Sequence, residues 1–245
     1  MNNVIRLTTS AVILAVGLVL SSAVVSKFFV NIKHEKAITV KGYAESDVVS
    51  DIGKFSCTSR VRGTSLQESY DKLQASRNTI LGYLKRKGVA EAEIRVDTIQ
   101  IARVNKRNDK GGELNDIEFY DAYQAITVTS GNVQLIWDIS TSIAELIKEG
   151  IDISVAPPEF LVSDLKDTKV KLLARATDDG YRRALALAEN SRAKVGALVS
   201  AEQGVLQITK RHSTDTSGYG AYDTSTIEKT VKAVVTLEYR IEPSK

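Results

Sequence analysis

EIRVDTIQIARVNKRNDKGGELNDIEFYDAYQAITVT, residues 93–129, decides the fold class. Its first part, residues 93–104, alternates through Ile94, Val96, Ile99 and Ile101. Residues 105–115 are polar and contain Gly111-Gly112, and residues 117–129 return to Phe, Tyr, Ile and Val. Two β-patterned runs around a polar, glycine-bearing segment make an antiparallel hairpin with a long tip.

Working upstream, residues 37–46 set Ile38, Val40 and Gly42 against Thr39, Lys41 and Tyr43. Residues 51–63 alternate again through Ile52, Phe55, Cys57 and Val61. These predict two strands joined as a hairpin by a short polar link. Thr64-Ser65 then opens a helix, with Glu68 placed three residues after Ser65 as in a capping box. Leu66, Tyr70, Leu73, Ile80 and Leu84 recur at three- and four-residue steps, with Arg77 occupying one turn. Lys85, Arg86 and Lys87 load the last turn and Gly88 ends it.

Downstream, residues 132–148 predict a second helix with Ile136, Ile139, Ile143 and Ile147 as its buried stripe and Gly150 as its stop. Trp137, the only tryptophan, reads as a core or lobe-contact anchor. Residues 151–163 form a strand interrupted by Pro157-Pro158, which cannot lie inside a central ladder and so mark an edge, bulge or bend. The longest helical pattern covers residues 164–194, with Leu172, Leu173, Ala176, Ala184, Leu187 and Ala188 as apolar positions. Gly180 in its middle costs about 1 kcal/mol against alanine, so either a neighbour packs closely there or the helix bends. Strands over 197–209 and 228–242 flank residues 212–226, a Ser-, Thr- and Gly-rich stretch that predicts a mobile loop. The class is α+β, mainly antiparallel sheets in hairpins with three helices, preceded by one N-terminal transmembrane or signal helix. It is not a doubly wound nucleotide fold.

Residues 7–26, LTTSAVILAVGLVLSSAVVS, carry no charge and lie between Arg6 and Lys27. At about 1.5 Å per residue they extend about 30 Å, the hydrocarbon thickness of a bilayer. Two readings stand. Residues 1–6 form a basic n-region, 11–20 an h-region and 21–26 a cleavage region; or the segment is an uncleaved anchor, whose apolar character resumes at Phe28-Phe29-Val30. Residues 1–36 are thus signal anchor or signal peptide, and 37–245 one α+β domain or two lobes. Lys27, Lys33 and Lys36 lie after the segment and pull against a simple positive-inside assignment. A short leading segment of this type nonetheless exports the domain behind it. The expected address is periplasm or envelope, at the inner membrane where 7–26 is retained, with the main domain outside the cytoplasm.

Composition narrows the function classes. Thirty-three basic and 30 acidic residues give a net charge of +3, with the signs interspersed as in Lys106-Arg107-Asn108-Asp109-Lys110, so no nucleic-acid partner is expected. Apolar residues at 43% and charged residues at 26% are ordinary for a globular chain. Cys57 is the only cysteine, so no internal disulfide can form. Alternation places it on the face of Phe55 as a small buried apolar residue, and nothing near it in sequence would lower its thiol pKa.

Several local strings resemble the SIMPL-domain family, in its bacterial exported branch. Ile38-Thr39-Val40-Lys41-Gly42-Tyr43-Ala44-Glu45 resembles the family's V-x-G-x-G/A-E opening strand, and Leu84-Lys85-Arg86-Lys87-Gly88-Val89 its K-x-x-G-V helix closure. Ala176, Asp179, Arg183, Ala184 and Ala188 match its A-x-x-D-A-x-x-R-A-x-x-x-A helix, and Gly196 the glycine after it. Gly180 stands in place of the usual alanine, and Arg192 where a glycine commonly ends the helix. The resemblance covers residues 38–241. It implies an exported, oligomeric protein with no established catalytic site, from a branch linked to oxidative-stress tolerance and ring-like assembly.

No residue is nominated as catalytic, cofactor-binding or metal-ligating, and no cofactor is implied. His34 and His212, the only histidines, have no second ligand at metal spacing, and no G-x-S-x-G elbow is present. Gly218-Tyr219-Gly220-Ala221-Tyr222 lacks the spacing of a dinucleotide or phosphate loop. It reads as a flexible tip whose Tyr219 and Tyr222 offer a contact surface. Asp178–Arg182 and Asp179–Arg183 are four-residue pairs, each contributing a few tenths of a kcal/mol when exposed. If their helix packs on a second subunit, Asp179, Gly180 and Arg183 set its register. The expected function is non-enzymatic, through self-assembly as a homo-oligomer or binding of a protein partner. The alternatives are a hydrolase with carboxylates in a cleft between lobes, or a module for a small envelope ligand.

Overall fold

The computed structural model describes residues 16–22, 26, 36–214 and 217–243. Most of the membrane-directed segment 7–26, and His34, lie outside them. Residues 16–22 and Ser26 are helical and exposed, and among the described residues no helix is long and apolar enough to cross a membrane. The fold is α+β with antiparallel sheets. Its contacts divide it into two compact units: the described residues of Met1–Ala44 with Leu173–Gly204 and Ala233–Lys245, and Glu45–Leu172 with Val205–Lys232.

The second unit is built on β2 (Ile52–Gly63), which lies antiparallel to β5 (Glu113–Ser130) over its whole length, Gly53 opposite Ser130 and Gly63 opposite Tyr120. β3 (Ile94–Val96) and β4 (Gln100–Arg107) both pair with β5, while β6 (Ile153–Val155) and β7 (Glu159–Leu161) both pair with β2. Phe55, Cys57, Ile126 and Val128 share one face of this sheet. Ile80 and Leu84 from α1 (Leu66–Arg86) and Ile136 and Ile139 from α2 (Val133–Ser142) close over them. Each of these side chains is at most 1% exposed, and burying one stabilises the unit by about 1.5–3 kcal/mol where it is large. The opposite face presents Lys54, Ser56, Thr58 and Arg60, half-buried or exposed.

Helix α1 begins as its caps require. Ser65 Oγ accepts the N–H of Glu68 at 3.1 Å, and the Glu68 carboxylate reaches back to the N–H and hydroxyl of Thr64 at 2.7 and 2.6 Å. The acid therefore satisfies one residue further back than a capping box centred on Ser65. Gly88 follows the helix with φ of +93°, a left-handed conformation that glycine adopts without the Cβ penalty.

Sequence and structure diverge at several elements. β1 (Ala37–Val49) and β2 do not form the expected hairpin; β1 lies beside β10 (Glu228–Pro243) in another sheet. Between them Ser50 donates its N–H to Ile227 O at 2.9 Å and Asp51 to Leu161 O at 3.0 Å, so the link is held by other segments and not by a turn. The strand expected over 93–104 breaks at residues 97–99, where Asp97 N–H bonds Ala125 O at 3.0 Å. The hairpin tip shortens to residues 108–112, because Asn108 Oδ1 accepts the N–H groups of Lys110 and Gly112. After α2 the chain tightens to a 3₁₀ helix, Ile143–Glu149. Three residues per turn carry the buried stripe from Ile143 to Leu146. Ile147, expected inside, is 58% exposed. Trp137 is a partly exposed neighbour of Phe160, ring centroids 6.3 Å apart, and not a fully buried core residue. The strand expected over 197–209 splits into β8 (Ala193–Gln203) and β9 (Gln207–Lys210).

In the first unit, β10 lies between β1 and β8. Val235, Leu237 and Tyr239 of β10 are buried, as are Val40 and Ala44 of β1. Residues 173–190 of α3 (Lys166–Asn190) supply Ala176, Ala184 and Ala188, each at most 1% exposed. With Gly180 between the first two, the four-residue steps form one small-residue ridge.

Candidate functional site

Asp179, Gly180 and Arg183 sit on α3 in the first unit, and the structure gives them work inside that unit. A Cβ on Gly180 would lie 2.7 Å from Leu237 Cδ1 and 3.3 Å from the Gly42 backbone. A Cβ on Gly42 would lie 2.0 Å from Ala176 O. Two glycines thus meet where helix and strand cross, which answers why Gly180 is tolerated in mid-helix: a neighbour packs against it. Beside this crossing Asp179 Oδ2 accepts the Tyr43 N–H at 2.9 Å and Arg183 Nε at 2.8 Å. The Tyr43 amide, with Arg183, holds the Asp179 carboxyl below the usual range. Asp178 and Arg182 make the neighbouring pair at 2.9 Å, both largely exposed.

Tyr219 and Tyr222 belong to the second unit. Tyr219 is fully exposed and Tyr222 half-exposed. The segment that carries them is anchored at both ends and not free over its length. Gln207 bonds Ser217 through both amide atoms, at 2.6 and 2.9 Å, and Phe160 donates its N–H to Thr224 O at 2.7 Å. Asp223 accepts Ser225 N–H at 3.2 Å and its hydroxyl at 2.8 Å, together with the Thr226 hydroxyl. Beneath it the Lys229 ammonium, its side chain 0% exposed, meets Asp223 at 3.2 Å and donates to Thr226 O. Burial works to raise the Asp223 carboxyl, but the bonds from Thr226, Ser225 and Lys229 outweigh it and hold it well below the ordinary range. Burial lowers the Lys229 amine, against the pull of Asp223. A lysine with a depressed pKa is a candidate nucleophile when a substrate can reach it. This one is sealed, and its role is to fasten the loop. Arg211 adds a second clasp, bridging Asp47 at 3.2 Å and Glu228 at 2.9 Å.

Depressions of ligand size occur in the second unit. A groove of about 520 Å³ runs along the end of α1, with Leu81, Val89, Ile94 and Val96 as walls and Lys85 and Glu91 at its lip. Two shallow hollows of about 540 and 490 Å³ share Thr58 and Tyr123 on the sheet face opposite Phe55 and Cys57. Arg60, which lines one of them, is committed to Asp121: Nε meets Oδ1 at 2.8 Å and Oδ2 at 3.0 Å, and a second nitrogen binds Oδ2. The Arg60 hydrogen bonds hold the buried Asp121 carboxyl down against desolvation. Among the described residues no cluster of His, Cys, Asp and Glu is arranged to hold a metal ion. Cys57 is buried, and desolvation pushes its thiol up to about 12, far from a reactive thiolate.

The structure therefore brings Asp179, Gly180 and Arg183 together and sets Tyr219 and Tyr222 on the loop of the other unit. The Asp223–Lys229 clasp escaped the sequence reading, although Asp223-Thr224-Ser225-Thr226 has the composition of an Asx turn. The buried lysine left no such signal.

The model of the SIMPL family, described as a protein of unknown function (DUF541), matches residues 38–239. No curated protein matches the chain.

Proposed function

On the premise that the chain belongs to the SIMPL family, we propose that it is a non-enzymatic cell-envelope protein that acts through self-assembly or partner binding. The observation that carries this reading is the arm made by β4 and the first half of β5. β4 hydrogen-bonds to no other strand among the described residues, and β5 before Tyr120 has only β4 beside it. Ile101, Leu114 and Ile117 on this ribbon are 36, 40 and 39% exposed. A two-stranded ribbon is marginal in water by itself, and open edges are templates for another chain. Residues 7–26 anchor the protein to the inner membrane with the folded units outside the cytoplasm. Sedimentation of the full-length protein in mild detergent tests the assembly, with a species larger than one chain expected; a single chain at every concentration would refute it. Sequencing the amino terminus of the natural protein separates anchor from cleaved signal. A link to stress tolerance predicts that a deletion strain survives oxidant less well than its parent.

A second reading rests on the groove at the end of α1. Its volume of about 520 Å³ and its apolar walls fall in the range of small-molecule sites, about 300–1,000 Å³. Native mass spectrometry would show a retained ligand whose loss follows Leu81→Glu.

A further inference from the structure

The arm is sorted by charge along its two edges. β4, residues 100–107, carries Arg103, Lys106 and Arg107 and no acid; residues 113–119 of β5 carry Glu113, Asp116 and Glu118 and no base. All six are exposed, and none of them is in an ion pair among the described residues. The tip that joins the strands, Asn108–Gly112, is closed by Asn108 on its own backbone. Each edge thus presents its backbone groups and a row of charge of one sign.

Charges on open edges commonly keep other chains away, and irregular pairing like that between Val104 and Arg107 serves the same end. Repulsion of every edge-to-edge pairing between identical copies needs the same sign on both edges, since single-signed edges otherwise repel only β4 from β4 and β5 from β5. Opposite signs on the two edges do the reverse, because the basic edge of one copy matches the acidic edge of the next. We infer that the β4/β5 arm is a self-complementary docking element that joins copies of this chain head to tail, the basic β4 edge of one against the acidic β5 edge of another. This rests on the assembly reading above and specifies its surface. Such an interface is heterologous: each copy uses one edge as donor and one as acceptor, so association continues beyond a dimer unless the rotation closes. The match also implies salt sensitivity, since the Debye length falls from about 10 Å at 0.1 M to about 3 Å at 1 M.

Two charge-reversed full-length proteins in mild detergent test it by sedimentation velocity. One carries R103E, K106E and R107E; the other carries E113K, D116K and E118K. All six positions are exposed, and circular dichroism checks that each variant keeps the wild-type spectrum. Each variant alone is expected to associate at least about tenfold more weakly than wild type, because like charges then face each other. An equimolar mixture regains the lost association, since the acidic β4 edge meets the basic β5 edge and the remaining two edges match as before. The six-fold reversal within one chain also regains it. Variants that assemble like wild type, or a mixture that stays dissociated, overturn the arm as the interface while leaving assembly by another surface in place. A wild-type protein that is a single chain throughout overturns both.

Discussion

Replacing Gly42 by alanine should disrupt the first unit far more than replacing Gly180, although the two glycines face each other. The new Cβ at 42 would stand 2.0 Å from Ala176 O and 2.7 Å from Gly180 N, both backbone atoms of α3. Neither can rotate away, so strand and helix must separate by about 1 Å or more, and the Ala176–Ala184–Ala188 ridge loses contact with them. Overpacking of this kind costs about 1–3 kcal/mol and occasionally more, and collision with backbone places Gly42→Ala near the top of that range, about 3 kcal/mol. At 180 the nearest atom is Leu237 Cδ1 at 2.7 Å, the end of a rotatable side chain, and the Gly42 backbone follows at 3.3 Å. Alanine in a helix gains about 1 kcal/mol over glycine, which offsets most of a mild clash, so Gly180→Ala should lie within about 1 kcal/mol of wild type. The measurement is amide hydrogen exchange over residues 173–190, which reads the local opening free energy of this unit without assuming that the whole chain unfolds at once. About 2 kcal/mol or more should separate the two variants, roughly a thirtyfold difference in exchange. Equal protection in both, or a greater loss for Gly180→Ala, would refute the close-approach argument.

In the second unit, Asp223→Ala leaves the Lys229 ammonium buried without its counter-charge and should cost about 3–5 kcal/mol in urea unfolding. Adding Lys229→Met to that variant should recover most of the loss, and a double variant as unstable as the single one would deny the pairing. The Asp223 carboxyl is held below its ordinary range. Its contribution is therefore complete above an unfolded pKa of about 3.9 and is lost as pH falls through the folded value, so the gap between wild type and Asp223→Asn should shrink below about pH 4. Arg192 adopts φ of +54° just after α3, a conformation that costs a residue with a Cβ about 1–2 kcal/mol. Arg192→Gly should raise stability by about 0.5–1 kcal/mol after the glycine's own chain entropy is counted, and a lower thermal midpoint would contradict this. Cys57, buried with its thiol pushed up to about 12, should resist iodoacetamide at pH 8 in native protein and react once urea unfolds the second unit; rapid native labelling would place it elsewhere.

Local chemistry was legible without coordinates wherever one stretch of chain contained its own reason. Ser65 and Glu68 start α1, Gly88 and Gly150 end helical segments with positive φ, and Pro157-Pro158 interrupt the strand that becomes β6 and β7. The 93–129 hairpin is of this kind, since both partners and their connection lie in one stretch. The departures have a common physical origin. Ile147 lost its place to Leu146 when the last turn of that helix tightened, a change of pitch that composition does not announce.

The order of residues by itself determined the α+β class, the antiparallel arm, the small-residue face of α3 and the apolar length of residues 7–26. Periodicity and caps act over a few neighbours, so they can be read in place. Only the tertiary structure decided that β1 leaves β2 for β10, that Leu237 and Gly42 pack against Gly180 in mid-helix, and that Asp223 shares a buried charge with Lys229. Partner choice among strands, close approach and burial of charge depend on which distant segments meet. The charge on each arm edge was in the sequence from the start, yet its meaning required knowing that no other strand among the described residues pairs with either edge.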